Sequence, residues 1–109
     1  MVSKEPKARI VPSAVQRTLA DSARDLTAWR KLRGLTQAQL ADRAGVGLNT
    51  LRRLESGDGS VSLENTLRVL RALGILDSVS KALDPYESDV GRLRSDERLP
   101  ERVHPRRLG

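Results

Sequence analysis

The chain has 109 residues, and twenty Lys and Arg against fourteen Asp and Glu give it a formal net charge of +6. It has no cysteine and one histidine, His104, which excludes disulfides, thiolate-held zinc, a thiol nucleophile and the usual histidine metal cluster. The length suits one small domain with tails, and the cationic excess favours a polyanionic partner, nucleic acid above all.

Residues 1–12 hold two prolines and the basic residues Lys4, Lys7 and Arg9, and are expected to form a flexible basic arm. This start has no apolar stretch of the signal-peptide kind, and no run along the chain is apolar enough to span a bilayer. The expected location is cytoplasmic, with no membrane association.

From Ser13 to Arg33 neither Gly nor Pro occurs, and Val15, Leu19, Ala23, Leu26 and Trp29 recur at helical spacing. The pattern predicts a long first helix, with a break expected near Asp21 and Ser22 and a cap at Gly34. Trp29 is expected to pack in the core. Thr36 and Gln39 have capping-box spacing, and Leu35 and Leu40 form a hydrophobic staple, so the second helix is predicted over Gln37–Ala44. After Gly45-Val46-Gly47 a third helix is predicted over residues 48–56, with Leu51 and Leu54 inward. Ser62 caps a fourth, Leu63–Leu73, whose inward stripe is expected to be Leu63, Leu67 and Leu70. A short fifth, Leu76–Leu83, carries Leu76, Val79 and Leu83 and ends at Pro85. No stretch alternates in the manner of a strand, so the fold class is all-α, with five helices around one aliphatic core. The folded domain is set at residues 13–83. Residues 84–109 carry six charges of each sign and are expected to be a disordered or partner-binding tail, with a short helix over 88–98 as the other option.

Helices of eight or nine residues are marginal alone in water, so the second and third must lean on one another. Ala41 and Ala44 permit close approach, and Leu40, Val46, Leu51 and Leu54 fill the angle between them. That is helix-turn-helix geometry. It turns Leu48, Asn49, Arg52 and Arg53 outward. Asn pairs bidentately with adenine and Arg with guanine, and an outward Leu48 suits a thymine methyl. Helix starts at Gln37, Leu48 and Leu63 offer amides to phosphates, with Arg43, Thr50 and Asn65 close by and Arg52 on the same outward face. No catalytic residue, cofactor or metal site is expected. The Gly45-Val46-Gly47 turn lacks the Lys of a phosphate-binding loop. The rival assignment is a helical adaptor whose basic face meets an acidic protein partner.

The stretch WRKLRGLTQAQLADRAGVGLNTLRRLESGDGSVSLENTLRVLRALGI resembles the XRE family of lambda-repressor-like helix-turn-helix domains, over about Leu26 to Leu83. The resemblance implies that Gln37 contacts phosphate and braces the reading helix, that Leu48, Asn49 and Arg53 contact bases, and that Arg30 and Glu55 form a buried ion pair. Gly47 departs from the family's usual Ser or Thr cap. The implied function is a dimeric repressor of transcription on double-stranded DNA. The run from Leu70 to Leu83 with its Arg-rich tail is also similar to HipB-like antitoxins, which implies self-repression and a HipA-like kinase toxin as partner. A plain autoregulating repressor is the alternative.

Overall fold

The computed structural model describes residues 10–98, and every regular element among them is helical. The arm residues Lys4, Lys7 and Arg9, and His104, lie outside the described residues. The chain divides into two compact units, Met1–Gly74 and Ile75–Gly109, each with its own contacts. The charge and turn pattern set its boundary later, after Leu83.

In the first unit α1 spans Ser13–Leu32, α2 Gln37–Ala44, α3 Leu48–Glu55 and α4 Leu63–Leu73. Helix α2 packs on α3 and α4, and α3 also touches α1 and α4. The core is aliphatic: Ala23 and Leu26 of α1, Leu35, then Leu40, Ala41 and Ala44 of α2, Leu51 of α3, and Val69 and Leu73 of α4.

The caps explain the helix limits. Thr36 Oγ1 accepts from the Gln39 amide at 3.1 Å while Gln39 Oε1 accepts from the Thr36 amide at 2.9 Å, closing the capping box. Gly45 ends α2 at φ +73°, a conformation that costs side-chain-bearing residues energy, and the Val46 amide then reaches back to the Ala41 carbonyl at 3.0 Å. Helix α1 runs unbroken through Asp21 and Ser22. Asp21 is paired with Arg24 one turn on, and the burial of Ala23 and Leu26 outweighs the local dip in propensity.

Two packing expectations are overturned. The buried stripe of α4 is Val69 and Leu73, while Leu63 is 70% exposed and Leu67 and Leu70 are half-buried. Leu63 is the first residue after the Ser62 cap, where the chain has only begun to turn onto α2. Trp29 is on the surface, with the Arg33 guanidinium 5.2 Å from its ring centroid. Arg33 is held there because its Nε donates to the Leu73 carbonyl at 3.0 Å.

In the second unit α5 spans Leu76–Leu83 and is followed by a 3₁₀ turn, Pro85–Glu87, and α6, Asp89–Arg98. The tail is therefore helical as far as Arg98, where its charge pattern favours disorder. Local capping accounts for this. The Asp84 side chain accepts from the Tyr86 amide at 2.9 Å and Ser88 Oγ from the Gly91 amide at 2.9 Å, and Arg92 Nη1 donates to the Tyr86 carbonyl at 2.7 Å. Gly91 is required there, since a Cβ would overlap the Pro85 carbonyl. Helix α5 has no buried residue, and Leu83, Val90 and Leu93 are exposed.

Candidate nucleic-acid interface

The outward face of α3 is built from its inward one. Leu51 is fully buried and fixes the rotation of the helix, which leaves Asn49, Arg52 and Arg53 exposed. Leu48 and Thr50 are half-buried, so Leu48 stands out less than its place in the sequence implies. Gly47 supplies no side-chain cap, which leaves the first amides of α3 without a side-chain acceptor. At α4 the Ser62 hydroxyl accepts from the Asn65 amide at 3.0 Å. Arg43 is exposed in the last turn of α2, and Asn65 is half-buried in the first turn of α4.

A buried polar cluster clamps α3 to its neighbours. Arg30 of α1 grips Glu55 with both arms of its fork, Nε to Oε2 at 2.8 Å and Nη2 to Oε1 at 3.1 Å. Its third donor, Nη1, reaches the Leu35 carbonyl at 2.9 Å. Gln37 of α2 donates through Nε2 to Glu55 Oε1 at 3.0 Å. The side chains of Arg30 and Glu55 are only 12% and 5% exposed. Burial alone would raise the Glu55 pKa. Bonds from Arg30 and Gln37, the Arg30 charge and Thr27 outweigh it, and the carboxyl ends below its ordinary 4.5. The end of α3 is thus tied to α1 and α2 at once, so its outward face is held rigidly. The Gln37 side chain serves this clamp, and its position as first residue of α2 leaves its backbone amide for an anion.

The exposed donors fall into two groups. Among the described residues the side chains of Asn49, Arg43 and Arg52 are exposed and make no hydrogen bond or ion pair. Arg53 is engaged: Nε donates to Asp58 Oδ2 at 3.1 Å and Nη2 to Ser60 Oγ at 3.0 Å. Asp58 Oδ1 accepts from the Ser60 amide at 2.8 Å and from its hydroxyl at 2.7 Å. Ser60's hydroxyl and amide, with Arg53, hold the Asp58 carboxyl down at about 2. Sequence reasoning missed Asp58 and Ser60. The run Asp58-Gly59-Ser60 after Gly57 is an Asx-turn signature that marks the turn, although it does not identify Arg53 as its third member.

Asn and Arg donors projecting from one rigid helix, beside helix starts with open amides, can grip base edges and phosphates together. No helix of the described residues is long and apolar enough to cross a membrane.

Comparison with known proteins gives matches of the same kind. A family model described as helix-turn-helix matches residues 26–77. Over 75 residues the chain is 35% identical to the cryptic phage CTXphi transcriptional repressor RstR of Vibrio cholerae serotype O1, covering 66% of this chain and 67% of that protein. No solved structure matches it significantly.

Proposed function

The chain belongs to the XRE-type helix-turn-helix family, and from that membership we propose that it is a sequence-specific repressor of transcription acting as a dimer on double-stranded DNA. The observation that carries this is the outward face of α3. Asn49 and Arg52 stand free there on a helix locked in place by Arg30, Glu55 and Gln37. Helix α3 lies in the major groove. Leu48, Asn49 and Arg53 meet base edges, and Arg43, Thr50, Arg52, Asn65 and the Gln37 amide meet phosphates.

One such helix reads too few base pairs for useful specificity, so two copies act together on half-sites about 34 Å apart. Val15 on α1 is exposed apolar surface that a second copy can cover. Repression follows when the dimer occupies a promoter.

The test is duplex binding by fluorescence anisotropy across a salt series, followed by selection of the preferred site from random DNA. For a DNA binder, log affinity falls linearly with log salt, by about 0.9 per phosphate contact on B-form DNA. Absence of binding to any duplex at low salt would favour an adaptor for an acidic protein. An antitoxin role is the more specific form of the proposal. Val90 and Leu93, exposed one turn apart on α6, are the surface on which a HipA-like kinase toxin would sit. Co-purification of the chain with such a kinase, lost on Val90→Asp, tests it.

A further inference from the structure

We propose that Asp58 is the positioning residue that makes Arg53 a reader of guanine rather than a general phosphate contact, by gripping one edge of its guanidinium and balancing its charge. This rests on the DNA-binding function set out above.

The geometry is a closed ring of three residues. Arg53 donates to Asp58 and to Ser60, and Ser60 donates to the other oxygen of Asp58. The loop that carries the ring is itself fixed. The Asp58 amide donates to the Arg53 carbonyl at 3.0 Å, made possible by Gly57 at φ +88°. On the loop's other side a Cβ built at Gly59 would lie 3.0 Å from the Leu19 side chain, so the backbone there runs close against α1.

The ring uses one particular edge of the guanidinium. A planar guanidinium has five N–H groups in a rigid fork. Nε–H and the nearer Nη2–H are spent on Asp58 and Ser60. Both protons of Nη1 and the second of Nη2 have no partner among the described residues. The free pair, one proton from Nη1 and one from Nη2, is a two-donor end that matches O6 and N7 of guanine. Two consequences follow. The side chain is already ordered before DNA arrives, so less rotamer entropy is lost on forming a bidentate base contact. Its positive charge is also balanced by a carboxylate, which weakens its attraction to any phosphate. Hydrogen-bond directionality toward guanine survives while charge attraction to random DNA is reduced. That combination raises the ratio of specific to non-specific binding.

The experiment compares the wild type with Asp58→Asn, Arg53→Ala and the double variant, on the selected duplex and on a random duplex of equal length. Asp58→Asn keeps the shape of the turn and removes the charge. The expected result is a random-duplex affinity raised about two- to fivefold, the range of an exposed ion pair, with a salt slope steeper by about 0.9. Preference for the selected site falls by at least the same factor. In the Arg53→Ala background the same change has little effect, because Asp58 acts through Arg53. Ser60→Ala, which opens the ring but keeps the carboxylate, lowers the guanine preference with a smaller change in slope, and serves if Asp58→Asn fails to fold. An equal gain from Asp58→Asn with and without Arg53 would overturn the proposal, leaving only a general loss of negative charge. So would an unchanged preference for the selected site. A wild type that binds neither duplex would overturn the DNA-binding function itself, and this proposal with it.

Discussion

Replacing Arg30 with Ala removes the guanidinium that holds Glu55, and the structure sets the size of the effect. Arg30 makes three hydrogen bonds, two to Glu55 and one to the Leu35 carbonyl, from a side chain that is 12% exposed. Glu55 is 5% exposed, so solvent cannot replace the lost partner. Breaking a buried pair by deleting one member costs about 3–5 kcal/mol, mainly because the remaining charge is stranded. For a domain of this size each kcal/mol shifts the melting midpoint by about 4–8 °C, so Arg30→Ala should lower it by about 12 °C or more. Thermal unfolding followed by circular dichroism reads this directly. Arg30→Ala with Glu55→Gln should recover much of the loss, since the neutral amide still accepts from Gln37 and leaves no orphan charge. The pH dependence gives a further check. The folded wild type holds the Glu55 pKa below its ordinary 4.5, so this stabilisation is present above that value and fades as pH falls through the folded pKa. Without Arg30 burial dominates and raises that pKa, so the gap between variant and wild type should narrow on acidification. An unchanged midpoint in Arg30→Ala, or a double variant no better than the single, would refute the reasoning.

Other substitutions separate base contacts from phosphate contacts and caps from core. Asn49→Ala and Arg53→Ala should each cost about 1–3 kcal/mol on the selected duplex and relax base choice there, whereas Arg43→Ala should weaken all duplexes alike and flatten the salt slope by about 0.9. Competition binding across salt distinguishes these outcomes. Gly47→Ser should stabilise by a few tenths of a kcal/mol in urea, because φ is −70° and the nearest atom to a new Cβ is Thr50 Oγ1 at 3.8 Å. Gly45→Ser, at φ +73°, should instead cost about 1–3 kcal/mol. Leu51→Ala should cost about 2–5 kcal/mol by the same assay, since Leu51 is fully buried where α3 meets its neighbours.

What could be read from the sequence follows the range of the interactions. The bounds of α2 and α4 are set by residues three apart, such as Thr36 with Gln39, and by the glycine immediately after each helix, and α5 is bracketed by Gly74 and Pro85, so they are visible in the pattern. The inward face of α4 is not. Leucines at 63, 67, 70 and 73 offer more than one stripe, and only packing against α2 chooses Val69 and Leu73. Trp29 misleads for a related reason. It sits at the edge of the α1 face under Arg33, whose own partner, the Leu73 carbonyl, lies forty residues away. The helical tail depends on caps at Asp84 and Ser88 that are outnumbered by alternating charge. At the interface, the outward set on α3 follows from the inward positions of Leu51 and Leu54. The Arg53 ring does not, because a bond to Asp58 or Ser60 requires a loop shape that periodicity cannot supply.

Chemical interference mapping on the selected duplex tests most directly whether α3 enters the major groove. Guanine N7 faces that groove, so methylation there should block binding in two segments about one helical turn apart on one face of the DNA. Arg53→Ala should abolish the interference at individual guanines within each segment. Interference confined to minor-groove positions, or affinity indifferent to modification in either groove, would contradict the placement of α3.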